Sequence, residues 1–222
     1  MRPFILPVLL ALVTLVGCAP KEEPKPENAP PPPPTAEEQY AKLRGPVEPM
    51  FASVGNPGFS NAQRSQAVEG LRTAKNQLSA EMATPQGINI PAALKRMQGD
   101  VENLIKDAKK AENWRVVKGG IEAYKIFQPA DKRWDDDEKY ADLILARPSV
   151  AIDGFFDLDG ETYVFAEVTD ANTGKKDTYK IREGEDFHEV LQLVRIIGRR
   201  DAIEILYKPV NQTWTVKSPS KK

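Results

Sequence analysis

The chain has 222 residues, 41% hydrophobic and 28% charged, with 31 Lys and Arg against 32 Asp and Glu. This length allows one or two domains, and a net charge of −1 leaves no overall basic footprint for nucleic acid. One cysteine and one histidine exclude an intrachain disulfide, a cysteine-cluster metal site and most zinc sites.

The chain opens with MRPFILPVLLALVTLVGC. Arg2 supplies a positive start, and Phe4 to Val16 is an apolar run broken only by Pro7 and Thr14. A bilayer core of ~30 Å needs roughly 20 helical residues, so this run is too short to span and reads as a signal-peptide core. It ends in Leu15-Val16-Gly17-Cys18, which resembles the lipobox of bacterial lipoproteins. That resemblance implies lipidation of the Cys18 thiol, cleavage just before it, and membrane attachment through the acylated cysteine. Ala19 in place of aspartate favours the outer membrane.

Eight of the 19 prolines fall in residues 20–34, a polyproline II spacer kept solvated by Lys21, Glu22, Glu23, Lys25 and Glu27. Residues 36–55 predict a short helix, then a loop marked by Pro46, Pro49, Gly55, Pro57 and Gly58. Asn61 is a candidate cap for a helix over 62–84, with Val68, Leu71, Leu78 and Met82 on one stripe beside Ala67 and Ala74. Asn89 and Pro91 signal the next start. Leu94, Met97, Val101, Leu104, Ala108 and Ala111 recur at heptad spacing. They predict a helical hairpin with one buried face, or a seam for a partner helix. Trp114, Val117, Ile121, Tyr124 and Phe127 continue over 112–128, where Gly119-Gly120 weakens the helix by ~1 kcal/mol each against alanine. Asp135, Asp136 and Asp137 suit the positive end of a helix over 135–146.

After Pro148 the apolar period drops to 2. Asp159-Gly160 signals a two-residue hairpin, with Tyr163 and Phe165 on one face of the next strand and Val164, Ala166 and Val168 on the other. Later strands are expected from Tyr179, over Leu191 to Ile197, over Ile203 to Tyr207, and around Trp214 and Val216. The expected fold is α+β: a helical hairpin or bundle, then a small antiparallel β-sandwich or partly closed barrel. The expected organisation is 1–17 signal peptide, 18–36 anchor and linker, 37–146 helical region, 147–217 β domain and 218–222 basic tail.

Asp153, Asp157, Asp159 and Glu161 raise the question of calcium. Placing Gly160 at the sixth position of an EF-hand loop puts Phe155 first and Ala166 twelfth, and neither is a ligand. His188 has no cysteine nearby and reads as a surface or edge-strand residue. The three tryptophans read as packing groups. No G-x-S-x-G or phosphate-binding loop occurs, so the sequence predicts no enzyme, cofactor or metal site.

The last third carries Ile152-Asp153-Gly154, Tyr163 to Val168, and Tyr179-Lys180-Ile181-Arg182-Glu183-Gly184-Glu185, then Val194 to Ile197 and Ile203-Glu204-Ile205. This pattern resembles the periplasmic domain of PilP-type pilus assembly lipoproteins and the homology region of GspC-type secretion proteins. The order of lipobox, proline-rich spacer and terminal β domain agrees. The resemblance implies a periplasmic scaffold, in that family usually held at the inner membrane, that bridges alignment proteins to a secretin. A lipoprotein binding a small envelope ligand or peptidoglycan is the alternative, and a hydrolase with dispersed carboxylates the third.

Overall fold

The computed structural model describes residues 31–219. Helix α1 (Ala36–Ala52) starts at a capping box. The Thr35 hydroxyl accepts the Glu38 N–H at 3.2 Å, and the Glu38 carboxylate accepts the Thr35 N–H at 2.7 Å. The helix runs through Pro46 and Pro49, where a loop was expected. Burial of Leu43, Val47 and Met50 on one face outweighs the helix bonds these prolines cannot make. Pro46 also fills the space beside Gly70, where a β-carbon would lie 2.8 Å from Pro46 Cβ.

Helix α2 (Asn61–Glu81) is capped by Ser60, not Asn61, because Gln63 is placed to complete a second capping box. Met82, expected on its buried stripe, lies past the last turn and is 44% exposed. Helices α3 (Ile90–Lys110) and α4 (Trp114–Phe127) complete a four-helix bundle. Each of α2 and α3 packs chiefly against α1 and α4, so the two long helices lie on a diagonal. Met97, Val101, Leu104 and Ala108 are all buried in this core. Leu94 is half-buried and Ala111 exposed, so the middle of the heptad seam is filled from within and its two ends are not.

Gly119 and Gly120 are both buried and let neighbours approach. A β-carbon at Gly120 would lie 2.8 Å from Ile105 Cγ1. Helix α5 (Asp135–Leu145) packs on α4, and the connection before it is clasped. The Asp131 carboxylate accepts from the Tyr124 hydroxyl at 2.7 Å, from the Arg133 backbone N–H at 2.9 Å and from Arg133 Nε at 2.7 Å. These donors, the Arg133 N–H foremost, hold the Asp131 pKa down to about 2.

Only Ala146, Arg147 and Pro148 separate α5 from the first strand. Strands β1 (Ser149–Leu158), β2 (Glu161–Thr169) and β3 (Lys176–Ile181) form one antiparallel sheet. Strands β4 (Asp186–Phe187), β5 (Leu191–Ile197), β6 (Ala202–Tyr207) and β7 (Gln212–Lys217) form a second. The sheets are not closed into a barrel, and β4 is a two-residue strand beyond the six expected. Val164, Ala166 and Val168 from the first sheet share one core with Leu193, Ile203 and Ile205 from the second. Asp159 (φ 54°) and Gly160 (φ 81°) make the two-residue turn with both residues left-handed.

The helical core and the sandwich core are separate, joined at one end of the sandwich. There the Tyr207 hydroxyl donates to the Leu143 carbonyl at 3.0 Å. Arg147 lies 4.8 Å over the Trp214 ring and donates to Gln212 Oε1 at 3.4 Å.

Candidate functional site: an aromatic sheet face and an arginine-lined hollow

The predicted lipidation residue Cys18 and its lipobox neighbours Leu15, Val16 and Gly17 lie outside the described residues, as does most of the proline-rich spacer. Among the described residues, no helix is long and apolar enough to cross a membrane. No described group of three or more His, Cys, Asp or Glu residues is placed to hold a metal ion. Asp157 instead accepts from Thr162 Oγ1 at 2.8 Å and pairs with Arg200, while Glu161 pairs with Arg182 at 2.5 Å. Both carboxyls are held below the ordinary range, mainly by these guanidinium hydrogen bonds. Asp135 and Asp137 pair with Lys125 and Lys109 at 3.1 and 2.6 Å. Trp114 and Trp134 pack against the helical core and Trp214 against the sandwich core.

The outer face of the three-stranded sheet carries what the core does not use. The register set by the Asp159-Gly160 turn puts Phe156 opposite Tyr163, and a bulge between Ile152 and Gly154 brings Gly154 opposite Phe165. Phe156 then stacks on Tyr163 with centroids 5.2 Å apart and on Phe165 at 4.9 Å. Cross-strand aromatic pairs of this kind are worth ~0.5–1.5 kcal/mol each. Lys180, opposite Phe165 on β3, holds its ammonium 4.2 Å from the Tyr163 centroid and 4.9 Å from that of Phe156. No carboxylate pairs with it among the described residues. Phe165 is 41% exposed and Leu158 44%.

The ladder runs toward the end of the sandwich away from the helices. Three turns meet there: Asp159-Gly160, the bend at Glu183-Gly184 and the β5–β6 connection at Gly198 to Asp201. They frame an open hollow of about 810 Å³, lined by Arg182, Arg199, Arg200, Glu161 and Glu183 among others. Tyr163 joins ladder to hollow through its hydroxyl, which donates to Glu161 at 3.1 Å. Arg200 is left-handed (φ 75°), a cost for a residue with a β-carbon.

A second cavity, of about 500 Å³, lies beside the α5–β1 connection. Asp170, Asp177, Tyr179, His188, Pro148 and Tyr207 line it. His188 was expected on the surface or an edge strand; it follows β4 in a left-handed turn (φ 46°) with Nδ1 buried and unpartnered.

The alternation in β2 already placed Tyr163 and Phe165 on one face; Phe156 joins them through the hairpin register and the bulge between Ile152 and Gly154, which the residue order did not foretell. The meeting of Arg182 with Arg199 and Arg200 had no local signal, because two turns distant in sequence bring them together. No protein-family model matches the chain, and neither a curated protein nor a solved structure matches it.

Proposed function

We propose that this chain is a lipid-anchored scaffold of the bacterial envelope. It bridges membrane components of a type IV pilus or type II secretion-like machine by protein–protein contacts and carries no catalytic role. Cys18 holds it to the membrane, the proline-rich spacer carries the folded part into the periplasm, and the sandwich presents the contact surface. The observation that carries this reading is the Phe165–Phe156–Tyr163 ladder on the outer sheet face, Phe165 exposed and the other two half-buried, under an unpaired Lys180. Apolar surface at the centre of a contact with a polar rim is how protein interfaces are built.

A photo-crosslinking amino acid at position 165, placed in living cells of the source bacterium, tests it. The expected result is one dominant adduct to a secretin or alignment protein, lost when Cys18→Ser releases the chain from the membrane. Absence of any adduct at 165 removes the docking reading. One observation favours a second reading, a lipoprotein that binds a small envelope ligand. The cavity beside the α5–β1 connection gathers polar groups around His188.

A further inference from the structure

We propose that the docked partner is an acidic, extended protein segment. Its apolar side chains lie along the Phe165–Phe156–Tyr163 ladder, and a carboxylate enters the hollow at Arg199. This rests on the reading of the sheet face as a docking surface and names the chemistry of what docks there. Both carboxylates lining the hollow are already engaged: Glu161 by Arg182 and Tyr163, and Glu183 by the Ile196 N–H at 2.5 Å. Arg182 is further held by Glu185 at 2.8 Å, and Arg200 by Asp157. Arg199 lines the hollow and is exposed, with no hydrogen-bond or ion-pair partner among the described residues. Among the described residues lining the hollow, the unmet charge is therefore Arg199, and Lys180 adds a second cation over the ladder; the unpaired Asp159 and Asp201 belong to the framing turns and do not line it.

Geometry selects an extended chain. Glu161, Tyr163 and Phe165 step away from the hollow along β2 at two-residue intervals, ~6.6 Å each. A partner segment in the same conformation repeats its side chains at that interval. Alternate residues then meet the rings, and the next one reaches the arginines. A guanidinium favours a carboxylate there through paired N–H donors.

The test uses the full-length lipoprotein in detergent and three fluorescein-labelled peptides of alternating valine and threonine, ending in two glutamates, two glutamines or two lysines. The glutamate peptide is expected to bind at least about tenfold more tightly than either counterpart, measured by anisotropy. Arg199→Glu should erase that preference and Arg199→Lys retain it. Phe165→Ser should weaken the glutamate and glutamine peptides alike. Equal binding of the three peptides, or an Arg199→Glu protein with the preference intact, overturns the acidic segment. An adduct at position 165 together with charge-blind peptides leaves the docking surface standing without it.

Discussion

The helical bundle and the sandwich use aromatic and aliphatic side chains in opposite ways. In the bundle, Leu43, Leu71, Met97, Ile105 and Tyr124 are buried, and two glycines sit where side chains of neighbouring helices press against α4. In the sandwich, one face of β2 fills the core with Val164, Ala166 and Val168 while the other holds Tyr163 and Phe165 toward solvent. A four-helix bundle needs one stripe per helix inside. A sheet has two faces and needs only one of them for folding. The second face can thus carry apolar side chains without being needed by the fold.

The contrast is broken or sharpened by substitution. The largest effect is expected from Ile105→Ala, which leaves a cavity in the bundle and costs about 2–5 kcal/mol by urea unfolding. Gly120→Ala comes next. Its added methyl group meets the fully buried Ile105, and overpacking of about 1–3 kcal/mol exceeds the ~1 kcal/mol gain in helix propensity. A gain in stability there would mean that the bundle is looser than its contacts indicate.

A third effect is in pH. The folded pKa of Asp131, about 2, lies below its ordinary 3.8. Its contribution to stability is complete above the ordinary value and fades as pH falls through about 2. Amide exchange at Arg133 should therefore rise as pH drops across that window, beyond the intrinsic trend, and Asp131→Asn should flatten the rise. The smallest effect on stability is expected from Phe165→Ser, about 0.5–1.5 kcal/mol by urea unfolding for the one stacked pair it removes. A loss as large as that of Ile105→Ala would place Phe165 with the core.

Much of this architecture is legible in residue order. Capping residues, glycine–proline stops and the change of apolar period mark every helix and most strands. The full length of helix α1 escapes because Pro46 and Pro49 are read locally as breakers, while the burial of Val47 and Met50 is a property of the assembled bundle. Strand β4 escapes because two residues hold no period. The shared face of Tyr163 and Phe165 follows from alternation, which is local; Phe156 joins them only through the hairpin register and its bulge. Ion pairs between turns, such as Arg200 with Asp157, depend on how the two sheets stack, and no sequence spacing encodes that.

The three-residue junction has a mechanical consequence. Arg147 stacked on Trp214, and Tyr207 bonded to the Leu143 carbonyl, cross-brace the connection on both sides. Any pull on the sandwich is then loaded onto the end of α5 rather than absorbed by slack chain. The brace makes the junction a stiff coupling, so tension reaching the sandwich is relayed to the helices with little stretch.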